Sequence, residues 1–286
     1  MQEKQKETTS SKALRIAGAF VRARLEAAPL PTYPGDQPET LAEAYAIQDA
    51  AIRLWPDEIA GWKVGRVPEP FASKLGCDRL AGPIFKQRLR NATAQPASAQ
   101  AFEGGFAAIE GEFVLILAAD APAEKTSWTI DEARALIESV RAGVEVASSP
   151  FAGVNDLGPL VTISDFGNNN GLLLGPEIPD WRAFNLADWR CEVFIDGESV
   201  GENDAAAIPG GPLESLRFML ENAARRGLPL KKGAAVSTGA VTGVHQIAIG
   251  QTAVLRFTGL DDLALRIEAV APDERQTAAS LKNVTR

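Results

Sequence analysis

With 286 residues, 45% hydrophobic and 23% charged, the chain is long enough for one large globular domain or two smaller ones. Its net charge of −8 argues against a nucleic-acid or anionic-membrane partner, since both want clustered Lys and Arg. A single histidine, His245, and two distant cysteines, Cys77 and Cys191, exclude histidine-rich metal sites and any Ser or Cys triad that does not use His245.

No apolar run is long enough to span a bilayer, and Met1–Glu7 is too charged for a signal peptide. A cytoplasmic protein with reduced thiols is the expectation. Residues 1 to about 11 read as a polar tail. Leu14, Ile16, Ala17, Phe20, Val21 and Leu25 then recur at helical spacing. A proline-punctuated linker over 28–36 follows, and Thr40-Leu-Ala-Glu43 has the form of a capping box opening a helix from Leu41 to about Leu54.

Gly61-Trp-Lys-Val-Gly65 predicts a short strand carrying Lys63 between Trp62 and Val64. Apolar neighbours can lower a lysine pKa, but lysine also guards edge strands, and local sequence favours that plainer role. Ala81-Gly-Pro-Ile-Phe85 predicts a tight loop into a strand, which either holds backbone amides against a ligand or only turns.

Ala108 to Leu117 is the most informative stretch. Val114-Leu-Ile-Leu117 suits a strand buried on both faces, and alternation puts Glu110 and Glu112 on one face with only Gly111 opposite. Two carboxylates side by side in a dry place repel each other and resist desolvation, so a cation is expected to compensate. Thr129-Ile-Asp-Glu132 predicts a second capping box and a helix to about Arg141. The strand Ala142–Ala147 then places Glu145 among small apolar residues. Three convergent carboxylates without histidine describe an oxygen site for Mg2+ or Mn2+.

Phe166-Gly-Asn-Asn-Asn-Gly171 is a polar turn whose amides can also orient a metal-bound water. Cys191–Ile195 with Asp196-Gly197 signals a hairpin. Pro212 to about Arg226 reads as an amphipathic helix, stopped by Gly227, with Glu221 as a surface acid. Ala235–Gly243 runs from strand to loop with Ser237, Thr238 and Thr242, which suit a carboxylate ligand or an ordinary turn. Strands near Thr252–Phe257 and Leu263–Val270 precede a polar tail.

In order and spacing, Gly61-Trp-Lys-Val-Gly65, Glu110-Gly-Glu112, Glu145, Gly171-Leu-Leu-Leu-Gly175 and Thr238-Gly-Ala-Val-Thr-Gly243 resemble the fumarylacetoacetate hydrolase superfamily. The likeness runs from about Leu41 to Val270 and is to the branch of 2-keto-4-pentenoate hydratases and 4-oxalocrotonate decarboxylases. It implies an α+β fold with a curled mixed sheet, a helical N-terminal unit over 1–80, a catalytic domain over 81–286, and a homo-oligomer. It also implies Mg2+ or Mn2+ on Glu110, Glu112 and Glu145, with Lys63 as the active-site lysine. Pro83, Ile84, Thr238 and Thr242 are the expected substrate-binding residues. The expected partner is a small 2-oxo acid, with no nucleic acid or membrane.

The implied activity is metal-dependent hydration of a 2-hydroxy-2,4-dienoate in aromatic-compound catabolism. A 2-oxo-dioate decarboxylase or acylpyruvate C–C hydrolase is the alternative, and a non-catalytic binding protein is a third reading. The chain departs from the branch at Ser148-Ser149-Pro150, where Asp-Ser-Arg is usual, and at Ala240, where Ser is usual. Both departures remove polar groups where the substrate is expected and leave the three acids intact.

Overall fold

The computed structural model describes residues 9–93, 96–183 and 185–273. The tail expected over residues 1 to about 11 lies outside them up to residue 8, and α1 (Thr9–Glu26) already includes the rest. Helix α2 (Leu41–Leu54) starts at the predicted cap, where the Thr40 hydroxyl accepts the Glu43 N–H at 3.2 Å. The Glu43 carboxylate bonds the Glu39 N–H rather than that of Thr40, so the box is one residue offset.

Next come β1 (Ile59–Arg66), α3 (Phe71–Leu75), β2 (Arg79–Phe85), β3 (Leu89–Asn91), β4 (Ala97–Ala101) and β5 (Phe106–Leu117). After them lie α4 (Ile130–Ala135), β6 (Ile137–Ser149), α5 (Pro159–Ser164), β7 (Asn169–Glu177), β8 (Arg190–Ile195) and β9 (Glu198–Asp204). The described chain closes with α6 (Gly211–Arg225), β10 (Ala235–Ser237), β11 (His245–Gln246), β12 (Thr252–Phe257) and β13 (Leu263–Ala269). The polar tail expected after Val270 lies outside the described residues from 274 on.

Eight strands form the main sheet, in the order β2-β1-β10-β5-β6-β7-β3 with β11 also on β5. The β1–β10 and β3–β7 pairs are parallel and the others antiparallel, so the sheet is mixed as expected. The second sheet runs β4-β13-β12-β8-β9, and its β8–β9 hairpin turns on Asp196-Gly197, both at positive φ, as that dipeptide predicts.

Strand β5 is the spine of the molecule. On one face Ile109, Phe113, Leu115 and Leu117 enter the largest core, against the second sheet and α6. Gly111 lets that sheet close in, because a Cβ there would lie 2.6 Å from Cys191 Sγ. The other face carries Glu110, Glu112 and Val114, and Val114 packs with Ile84, Leu172, Leu174 and Ala235.

The helix expected to about Arg141 ends at Ala135, although its capping box at Thr129 and Glu132 forms. Ile137, Val140, Val144 and Val146 instead enter the β6 ladder, and pairing along β5 from Phe106 to Leu117 outweighs the local helical pattern. Strand β1 lies inside the main sheet between β2 and β10, and residue 80 falls within β2. Helices α1 and α2 pack over that sheet through Ile16, Phe20 and Ile47 against Phe85, Phe151 and Phe166. The buried Gln48 amide stitches α2 down by donating to Ala81 O at 2.9 Å and Ile163 O at 2.8 Å.

Candidate metal centre and active-site cavity

Antiparallel pairing sets Glu110 of β5 directly opposite Glu145 of β6. Glu112 follows two residues on, so all three carboxylates share a face, and each offers an oxygen within 4.8 Å of the others. Lys63 joins them across two ladders, since it pairs with Ser237 of β10 and Ser237 pairs with Val114 of β5. Its Nζ lies 3.3 Å from Glu145 Oε2. All four side chains are buried.

Burial pushes Glu110 up to about 7, with Lys63 pulling it down and Glu145 pushing further up. Glu112 is pushed well above the carboxylate range, first by burial and then by Glu145 and Glu110. Burial alone would lower Lys63, as its apolar sequence neighbours suggest, but the three carboxylates outweigh it and hold the ammonium above its ordinary value. With all three acids ionised, the one ammonium would leave two negative charges uncompensated in a dry site, so without a cation the cluster holds protons instead.

The donor set fits a hard divalent cation. Glu112 Oε2 accepts the Ser237 hydroxyl and the Gly239 N–H, the latter at 2.9 Å, while buried Oε1 has no hydrogen-bond partner among the described residues. Glu145 Oε1 accepts Asn169 Nδ2 at 2.9 Å, and its Oε2 faces Lys63. Each of these acids thus has one oxygen fixed by protein donors and the other left for the cluster, the outer-shell support that orients ligands around a metal.

Lys63 and Glu110 also line a cavity of about 730 Å3. Its walls include Phe71, Leu80, Phe106 and Ile208, together with Arg66 and Arg79. The segment from Thr238 to Val244 forms one side and Asn168 another. Phe166, Gly167 and Asn168 have φ of 54°, 64° and 65°, three consecutive left-handed residues, two of which are not glycine. Asn168 is buried, and its Oδ1 has no hydrogen-bond partner among the described residues.

The expected substrate residues fall in different places. Thr238 and Thr242 line the cavity, although the Thr238 hydroxyl donates to Phe113 O at 2.7 Å and that of Thr242 is 2.9 Å from His245 Nε2. Ile84 sits in the apolar cluster beside Val114, and Pro83, next to the Gly82 that pairs with Lys63, faces away from the lysine. Neither lines the cavity. His245 pairs with Ile109 at the sheet edge, and burial lowers its imidazole. Ala240 borders the cavity, whereas Ser148 is buried behind it, bonded to Phe106 O and the Phe102 N–H.

The sequence offers the Asn168 and Asn169 amides as turn residues or as groups that orient a metal-bound water, and it points to no role for Arg24. The signal for Arg24 is its place on the apolar stripe of α1, four residues after Phe20 and three after Val21, where a charge is out of keeping.

A scan of the sequence against models of protein families finds no match. Among curated proteins, the chain is 27% identical over 255 residues to a 2-keto-4-pentenoate hydratase from Burkholderia vietnamiensis, covering 88% of this chain and 94% of that protein. It is 25% identical over 267 residues to a 4-oxalocrotonate decarboxylase from Pseudomonas putida, covering 88% and 96%. Among solved structures, 4-oxalocrotonate decarboxylase from Pseudomonas putida G7, complexed with magnesium and adipate, superposes with a TM-score of 0.76 at 21% identity, covering 92% of this chain and all of that one. Fumarylpyruvate hydrolase from Pseudomonas aeruginosa, in complex with Mn2+ and pyruvate, superposes at 0.54 with 16% identity over 76% of this chain and 91% of that one. The chain has the fold of the fumarylacetoacetate hydrolase superfamily, and its sequence is similar along most of its length to the hydratase and decarboxylase branch.

Proposed function

We propose that the protein is a divalent-metal-dependent lyase that hydrates a 2-hydroxy-2,4-dienoate through its 2-oxo tautomer, in the breakdown of aromatic compounds. The observation that carries this reading is the cluster of Glu110, Glu112 and Glu145 around Lys63 at the wall of a cavity, in a chain similar to 2-keto-4-pentenoate hydratases. Glu110, Glu112 and Glu145 would hold Mg2+ or Mn2+, which supplies electrostatic stabilisation of the negative charge that an enolate carries on the 2-oxo oxygen.

The chain's own residues supply the rest. Lys63 holds a proton beside Glu145 and reaches the cavity, so its Nζ is the group placed to give and take the proton of tautomerisation. The Asn168 amide offers one donor side and one acceptor side to substrate or to the attacking water. Thr238 and Thr242 border the same space, and the buried Leu80 and Ile208 give it an apolar wall. A cytoplasmic homo-oligomer without nucleic-acid or membrane partners completes the reading. The net charge of −8 is what speaks against a nucleic-acid or anionic-membrane partner, and among the described residues no helix is long and apolar enough to cross a membrane. The homo-oligomer and the cytoplasmic location rest on the resemblance alone.

Incubation with Mg2+ and 2-hydroxypenta-2,4-dienoate should give metal-dependent loss of dienol absorbance. Absence of metal-dependent turnover across a panel of 2-oxo acids would overturn the reading. Arg66 on the cavity wall favours a second possibility, a substrate with a distal carboxylate, as for decarboxylation of a 2-oxo-dioate, whereas Arg79 beside it is already paired with Asp78 and Pro209 O. Mass spectrometry of the products separates CO2 loss, hydration and C–C cleavage.

A further inference from the structure

Arg24 lies on the N-terminal helix, far in sequence from every acid of the site, yet it is buried against the segment that borders them. Its Nε donates to Asp165 Oδ1 at 2.6 Å and its Nη2 to Asp165 Oδ2 at 2.9 Å, a two-pronged pairing. The remaining donors reach Ser148 O at 3.1 Å, at the end of β6, and Asn169 O at 3.1 Å, at the start of β7. The rings of Phe102 and Phe166 flank the guanidinium, with centroids 5.4 and 5.2 Å away. One planar cation therefore clamps both ends of the bend that runs from Asp165 to Asn169.

That bend is the left-handed run of Phe166, Gly167 and Asn168. Left-handed backbone at non-glycine residues persists only where its surroundings over-determine it. It also rests on the catalytic strands: a Cβ on Gly82 would fall 2.0 Å from Phe166 O, and one on Gly167 would fall 3.3 Å from Lys63 Cδ. Beyond the bend, Asn169 donates to Glu145 and the Asn168 amide faces the cavity.

We infer that Arg24 is a positioning residue for the active site: through Asp165 it fixes the bend that sets Asn169 on Glu145 and Asn168 in the cavity. The metal part of this inference rests on the proposed function. A buried ion pair serves stability poorly, since apolar side chains of similar volume commonly do as well, and this pair is spent where the backbone must be aimed.

The test uses the full chain with Mn2+ and oxalate as probes, titrated calorimetrically at 25 °C. Arg24→Lys keeps the charge but not the fork, and Arg24→Met combined with Asp165→Asn removes both charges together. Asn169→Ala removes the donor to Glu145. Phe20→Leu, on the same helix, is a control that trims core packing against Tyr33 and should lower the melting temperature while leaving Arg24 and its hydrogen-bond partners in place.

In the Arg24 variants that melt well above 25 °C, Mn2+ affinity should fall about tenfold or more, the scale of lost outer-shell support. Oxalate affinity of the Mn2+-loaded protein should fall with it. Adding Asn169→Ala to Arg24→Lys should cost less than the two single losses combined, because both act through Glu145. Phe20→Leu should bind both probes as the unaltered chain does. Arg24 variants that lose melting temperature but bind Mn2+ and oxalate normally would overturn the inference, leaving Arg24 as a tether for the helix. If the unaltered chain binds no Mn2+, the proposed metal site itself is overturned, and the metal part of the inference with it.

Discussion

Among the described residues Glu112 accepts two hydrogen bonds on one oxygen and none on the other, which makes it the sharpest probe of the site at the scale of single residues. In Glu112→Gln the amide oxygen can still accept from Ser237 and Gly239, while one negative charge leaves the cluster. Mg2+ affinity should drop by about tenfold or more, because a hard cation relies on that charge. The metal-free protein should be no less stable, because a carboxylate–carboxylate repulsion is gone. Melting curves with and without Mg2+ read both effects. Loss of metal-free stability with an unchanged Mg2+ shift would make Glu112 a structural partner instead. Glu221, expected from sequence to be a surface acid, is no control for this experiment. It is buried and bonds the Trp128 N–H, Arg217 and Arg225, so the exposed Glu198 takes that place. Lys63→Met should leave Mg2+ binding intact or tighter, because a competing cation is removed. Turnover should fall roughly 10²- to 10⁴-fold, the usual contribution of a positioned proton donor. Unchanged turnover would remove Lys63 from the chemistry.

Among elements, β5 was the most legible in the sequence and β6 the least. The apolar run Val114–Leu117 and the Glu-Gly-Glu alternation announce a two-faced buried strand, and both faces are filled as expected. The start of β6 follows a genuine helix cap, and Ile137 to Arg141 are spaced ambiguously, so its length emerges only from pairing with β5. The pairing of β1 with β10 joins Lys63 to Ser237, a contact too distant in sequence for any local pattern to reveal. The three acids can be proposed from residue type and order, whereas Lys63 enters only through the family resemblance, since local sequence favours an edge-strand guard. The asparagine amides stay one of two alternatives, because only the bend after Asp165 distinguishes a working amide from an ordinary turn residue. Gly111 offers the test at this scale. Gly111→Ala would push a methyl to 2.6 Å from Cys191 Sγ and 3.2 Å from Leu255 Cδ2. It should destabilise the protein by about 1–3 kcal/mol in denaturant unfolding, the range for an overfilled core. A cost near zero would mean that the two sheets yield easily there.

For the molecule as a whole, the acid cluster couples stability to pH and to metal. Glu110 has an ordinary pKa of 4.5 and is raised to about 7 in the folded chain by burial. The folded state therefore holds a proton that the unfolded chain has lost between those values. The contribution of Glu110 to the stability of the metal-free protein is fully present below about 4.5 and is lost as pH rises towards about 7, by up to about 1.4 kcal/mol per pH unit. Glu112, shifted in the same direction, adds to the effect. Melting temperatures measured without metal should therefore decline across this window. Mg2+ at about 100 times its dissociation constant should restore about 2.7 kcal/mol. A flat metal-free profile would show that the cluster is compensated by other means.

The pairing of Glu110 with Glu145 has a further consequence for how the chain reaches its native state. If β6 slid by one residue along β5, Glu145 would turn to the opposite face of the sheet, into the apolar core, and the three oxygens would never meet. A divalent cation at the proposed site would find its three oxygens only on the correctly aligned ladder. Metal uptake there would therefore proofread strand alignment, drawing the folding population towards the one register in which the three acids meet.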